Sequence, residues 1–104
     1  SATVSGKLIV DAGARQAVLE RGGSLLPAGV LAVAGSFVAG DVVTLETTDG
    51  SCFARGFVNY NSLDLEQIKG MQTEKVLEIL GVCACDEVIH RDDLAVICRE
   101  ESAL

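Results

Sequence analysis

Two short runs carry residue types that do chemistry, Cys83-Ala84-Cys85 and His90-Arg91-Asp92-Asp93. On an extended segment the two thiols would project to one side, the geometry of a paired metal ligand. A zinc site wants four donors in paired spacings, and Cys52 and Cys98 form no C-x-x-C with any other cysteine. One histidine and four scattered cysteines match such a site poorly, so the cysteines read as ordinary reduced thiols, buried or half-buried, and no metal is expected. His90 as a general base would need a nucleophile and an orienting acid, and the spacing supplies neither within reach. Its expected role is structural: the ring fixes a turn by bonding a backbone group or a carboxylate.

Other motifs fail on their own chemistry. Gly35 and Gly40 have phosphate-loop spacing, but Asp41-Val42 follows where a Lys and a Ser or Thr must sit, and a carboxylate repels phosphate. His90-Arg91-Asp92 begins like a kinase catalytic loop, yet Ile97 occupies the place of the metal-binding Asn. No catalytic, metal-binding or cofactor-binding residue is expected in this chain.

The chain has 104 residues, 49% apolar and 22% charged, which is the composition of one compact domain. No apolar run reaches the roughly 20 residues that cross a bilayer, so no membrane partner is expected. Reduced cysteines suit a cytoplasmic location. Ser, not Met, stands first, and the chain is read as a piece of something longer. Residues 1–5 are expected to be linker or appended residues, 6–98 the domain, and 99–104 a loose tail. The net charge of −7 is uneven: residues 1–60 carry −1 and residues 61–104 carry −6. An acidic chain argues against phosphate contact, although a nearly neutral first half leaves room for a small basic patch.

The elements that would position these residues follow from periodicity and punctuation. Lys7 to Val10 reads as a strand. Asp11 is placed to cap a helix over Ala12–Arg21, with Ala14, Ala17, Val18 and Leu19 facing the core and Arg15, Gln16 and Glu20 facing away. Gly22-Gly23 stops it. After the Leu26–Val30 turn, strands are expected over Val30–Ala34 and Asp41–Thr47. Asp49-Gly50 signals a two-residue hairpin pairing Thr47 with Cys52, Leu45 with Ala54 and Val43 with Gly56. Small residues opposite Val and Leu suit the inside of a small barrel, and Phe53, Arg55 and Phe57 would share the outer face. Ser62 or Asp64 would cap a helix through Ile68, and Thr73 another over Glu74–Leu80. Glu87–His90 and Leu94–Cys98 read as closing strands. The class is α+β, mainly β.

Several fragments occur in a specific order: Gly6-Lys7-Leu8, Asp11-Ala12-Gly13-Ala14, Ser24-Leu25-Leu26-Pro27-Ala28-Gly29-Val30, Gly40-Asp41-Val42-Val43, Asn59-Tyr60 and Glu87-Val88-Ile89-His90-Arg91-Asp92. In this order the chain resembles PUA domains, small pseudo-barrels with short peripheral helices, and more narrowly those at the C-terminus of bacterial glutamate 5-kinases. The resemblance runs from Gly6 to Ile97. Asp93 stands where Asn is usual, and Cys83-Ala84-Cys85 follows no pattern of that family.

The resemblance implies an accessory domain of an oligomeric, proline-inhibited kinase that phosphorylates the γ-carboxylate of glutamate with ATP and magnesium. The catalytic residues would lie in an upstream amino-acid-kinase domain. Phe53 and Phe57 are then candidates for contact with that domain or a neighbouring subunit. It also implies an alternative, RNA binding, in which Arg15, Arg21, Leu26, Pro27 and Gly29 would border the groove.

Overall fold

The structure, a computed structural model, describes residues 3–97. The chain begins with β1 (Val4–Val10), longer than the expected strand by three residues, and α1 (Ala12–Arg21), which has the expected bounds. Asp11 caps α1 as expected: its Oδ1 accepts from the Ala14 amide at 2.7 Å. Gly22 ends it at φ 61°, a left-handed conformation that glycine adopts without steric cost.

A 3-10 turn, Pro27–Gly29, leads into β2 (Val30–Gly35). β3 (Val42–Glu46) and β4 (Cys52–Phe57) form the hairpin. The helices α2 (Ser62–Ile68) and α3 (Thr73–Leu80) follow, and β5 (Leu94–Val96) closes the described chain. The sheet order is β2-β1-β3-β4-β5, with β1 and β3 parallel and every other pair antiparallel. A mixed sheet around one core with short helices at its periphery is the expected class.

Alternation along the strands builds that core. Leu8 faces Val33 on one side and Leu45 on the other, and Leu45 faces Ala54. Leu8, Leu25, Leu45, Leu65, Ile68 and Ile89 are fully buried. Each such side chain contributes about 1.5–3 kcal/mol relative to exposure.

Four local expectations need correction. The hairpin pairs Val43 with Gly56 and Leu45 with Ala54 as expected, but then Glu46, not Thr47, meets Cys52 across a bulge. The Asp49 carboxylate causes this by accepting from the Thr47 hydroxyl and the Ser51 amide, while Gly50 sits at φ 89°. The connection is therefore Thr48-Asp49-Gly50 with a glycine bulge rather than two residues. Those bonds hold the exposed Asp49 carboxyl below its ordinary range, the Thr47 hydroxyl contributing most.

The cap of α2 is Asn61, which accepts from the Asp64 amide at 2.7 Å; neither Ser62 nor Asp64 does this. Ser62 instead ties the helix to the Phe37 backbone. Thr73 is the first residue of α3, Gln72 holds the cap position, and no side chain bonds there. Glu87–His90 is not a strand but an irregular segment, bent at Val88, with one bridge, Leu25 to Ile89. The Glu87 carbonyl accepts from the Asn59 side chain and the Val88 carbonyl from the Asn59 amide, while the Val88 amide donates to the Leu25 carbonyl. Cys98 and the expected tail lie outside the described residues.

Candidate functional site

The first candidate surface is α1 with the turn beside it. The Asp11 amide donates to the Gly29 carbonyl at 3.0 Å, which seats the turn on the start of the helix. Pro27 is buried, and its carbonyl accepts from the Gly70 amide at 2.8 Å. Both residues are therefore spent on packing. Leu26 is 51% exposed and Arg21 is exposed, so these two present themselves to solvent.

Arg15 does not face away as expected. Its guanidinium carbon lies 5.8 Å from the centroid of the Phe53 ring, a cation–π arrangement that also covers the ring. Of the five residues named for RNA contact, Arg21 and Leu26 are the exposed ones.

The second candidate is the outer face of the hairpin. The expectation that Phe53 and Phe57 form one uncovered patch is corrected: Phe53 is 1% exposed, whereas Phe57 is 51% exposed. The bulge explains the difference. Phe53 is the extra residue between Cys52 and Ala54, so it escapes strict alternation and joins the core. What remains outside is a row across three strands, Lys7, Thr44 and Arg55, with Phe57 at the next outward position of β4. Lys7 is paired with Glu46 at 3.6 Å. Arg55 is exposed and has no carboxylate partner among the described residues.

His90 precedes the 3-10 turn Arg91–Asp93, and its Nδ1 accepts from the Asp92 amide at 3.1 Å. An accepting Nδ1 leaves the ring proton on Nε2. The Arg91 amide is tied to the Ser24 hydroxyl at 2.8 Å, so both sides of this turn are fastened. Among the described residues no nucleophile is bonded to the ring.

Sequence reasoning missed the fastening of the Cys83–Cys85 segment. The Tyr60 hydroxyl donates to the Cys85 carbonyl and accepts from the Cys85 amide, each at 2.5 Å. Tyr60 is 2% exposed, and burial pushes its phenol above the ordinary range. Burial likewise raises the Cys52 thiol. A second omission concerns α3, where Val76 is buried but Leu77 and Ile79 lie exposed on either side of it.

Residues 6–80 match the PUA domain family. The chain belongs to that family. As a PUA domain it is 50% identical over 94 residues to a glutamate 5-kinase of Syntrophus aciditrophicus, a match covering 90% of this chain and 24% of that protein. It is 48% identical over 96 residues to a glutamate 5-kinase of Picosynechococcus, covering 92% of this chain and 26% of that one. The chain thus spans about a quarter of the length of the curated relatives it matches.

Among solved structures it is similar to a PUA domain protein of Aeropyrum pernix in complex with tartrate. That likeness has a TM-score of 0.60 and 30% identity, over 84% of this chain and 41% of the other. A PUA domain protein of Thermoplasma acidophilum gives 0.51 at 19% identity, over 88% and 46%, which shows the fold alone. No helix among the described residues is long and apolar enough to cross a membrane.

Proposed function

We propose that this PUA domain is the non-catalytic accessory domain of a glutamate 5-kinase and tunes that enzyme's regulation. The observation that carries the reading is 44–50% identity to such kinases over nearly the whole of this chain and only about a quarter of theirs. Glutamate 5-kinase activity is transfer of a phosphoryl group from ATP to the γ-carboxylate of glutamate, and magnesium neutralises charge on the transferring group.

The residues of this chain do not fit that nucleotide. Between Gly35 and Gly40 the turn is held by Asp41, whose Oδ2 accepts from the Val38 amide at 2.9 Å. A carboxylate fixed there disfavours a phosphate, and no step of the transfer runs through this domain. The chemistry belongs to an upstream kinase domain in a cytoplasmic, oligomeric enzyme. This domain contributes a contact surface, of which Phe57 beside Arg55 is the best-placed part: a large exposed ring is an interface residue when a partner can desolvate it.

Deleting residues 6–97 from the full-length kinase tests the reading. The expected result is retained glutamate phosphorylation with altered proline inhibition, magnesium dependence or assembly. If all three properties survive the deletion unchanged, the regulatory role is lost.

A further inference from the structure

The outer face of the sheet carries an apolar row that the fold leaves half open. Val42 pairs with Val4 on β1 and with Phe57 on β4, so three side chains stand next to one another across three strands. Val42 alternates with the core residue Val43, and it stands outside the core cluster although it is buried. The row therefore lies on the far side of the sheet from the core, with Val42 sheltered between its exposed neighbours Val4 and Phe57.

The adjoining row is polar, Lys7, Thr44 and Arg55, and Val4, Lys7, Ala34 and Thr44 line an open hollow beside it. The chain's lysines are paired with glutamates, Lys7 with Glu46, Lys69 with Glu66 and Lys75 with Glu78. Arg55 has no carboxylate partner among the described residues, in a chain of net charge −7. An apolar row bordered by an unpaired guanidinium suits a surface with apolar side chains and a carboxylate, which the planar fork binds through two bonds.

Val4 is also the first residue of β1, so the chain enters the fold at one end of this row. The matched region is 24% and 26% of two glutamate 5-kinases, and on the kinase reading the catalytic domain precedes Val4. Resting on that reading, we infer that Val4, Val42 and Phe57 with Arg55 form the docking surface for the preceding kinase domain, whose contacting patch is apolar and carries an Asp or Glu that pairs with Arg55. Size selects this tethered partner over a free one. A stable interface between separate proteins takes about 800 Å² and 20–30 residues on each side, far more than these two rows supply. A linker holds its partner at an effective concentration of about millimolar, where a weak patch is mostly occupied.

Hydroxyl-radical footprinting of the full-length kinase and of this chain alone tests the docking, with oxidation of Phe57 as the readout. Phe57 should react about fivefold more slowly in the full-length enzyme, as expected of a tethered patch docked about four-fifths of the time. Arg55→Glu should restore the rate seen in the isolated chain, and the melting curve of the isolated variant should match its parent because Arg55 is exposed. Cutting the full-length enzyme at a protease site placed ahead of Val4 should also restore it at about 1 µM protein, where no tether raises the local concentration. Protection should persist when the kinase is co-expressed with an excess of chains lacking residues 6–97. Equal oxidation in both proteins overturns the proposal, as does protection that outlasts Arg55→Glu or the cut. Protection lost among the co-expressed truncated chains also overturns it, since copies of this domain would then cover one another. Glutamate phosphorylation by the same preparation separates the two readings. An active enzyme with an open Phe57 sinks the docking alone, and a protected Phe57 in a protein without that activity sinks the kinase reading alone.

Discussion

Gly29 and Ala14 meet where the 3-10 turn crosses α1: a Cβ built on Gly29 would lie 2.6 Å from the Ala14 Cβ. Both partners are held, Ala14 by the helix cap on its own amide and Gly29 by the Asp11 amide on its carbonyl. Neither can retreat without breaking one of those bonds. Gly29→Ala should therefore destabilise by about 1–3 kcal/mol, the usual cost of overpacking. For a domain of this size that is a fall in Tm of about 4–8 °C per kcal/mol. Adding Ala14→Gly should recover part of the loss, less about 1 kcal/mol for glycine inside a helix. If the single variant melts with the parent chain, the turn does not press on the helix.

Tyr60→Phe removes one donor and one acceptor from Cys85 and leaves the ring volume nearly unchanged. Two neutral hydrogen bonds at about 0.5–1.5 kcal/mol each predict a Tm lower by several degrees. Amide exchange should quicken from Cys85 to Val88 before it changes in the sheet. A pH effect follows from the raised phenol. The unfolded chain ionises near 10 and the folded one higher, so the folded state holds its proton longer. The contribution is present in full below the unfolded value and is lost as pH rises through the folded one. Tyr60→Phe should flatten that alkaline decline.

His90→Ala should behave as the loss of a turn bond. The Asp92 amide loses its acceptor at an exposed position, where water replaces it, so the cost is about 1 kcal/mol or less. A Tm drop of a few degrees in this chain is expected. In the full-length kinase, glutamate phosphorylation should stay within about tenfold, since losing an acid–base catalyst costs about 10²–10⁴-fold. A thousandfold collapse in a variant that melts normally would give His90 a different role.

Much of this was legible in the sequence, and the misses have two causes, side-chain bonds inside a turn and partners far along the chain. The bounds of α1 were readable because Asp11 and Gly22 punctuate both ends by local chemistry. The register of Val43 and Leu45 was readable because small residues opposite large ones leave one face for the core. The bulge was not, because it depends on the Asp49 carboxylate reaching Thr47 and Ser51. It turns Phe53 inward, while Phe57 keeps the outward position that alternation gives it. The α2 cap was ambiguous because Asn61, Ser62 and Asp64 are all capping types, and Ser62 was drawn off by Phe37, 25 residues away. Glu87–His90 has a strand's composition, but its hydrogen-bond partners are Leu25 and Asn59 rather than a neighbouring strand. Outside the hairpin turn, interactions between distant residues settled what local pattern left open.

Those distant contacts also bear on the nucleic-acid alternative. A phosphate-binding surface needs cations free to meet phosphates. Arg15 is laid over Phe53, and withdrawing it would uncover a ring that is now 1% exposed. Arg21 alone remains exposed on that helix, in a chain of net charge −7. In a filter-binding titration with structured tRNA at low salt, this chain should show no saturable binding tighter than about 10⁻⁴ M, the weak end of non-specific affinity. Arg15→Ala with Arg21→Ala should leave that result unchanged, while Arg15→Ala alone should lower Tm by exposing Phe53. The opposite result has a defined signature. Micromolar binding that falls with salt at a slope near −2, and is abolished by the double variant, would mean two phosphates are met by these arginines. Arg15 would then have to leave Phe53 to bind, and tRNA binding would release the ring that the helix now covers.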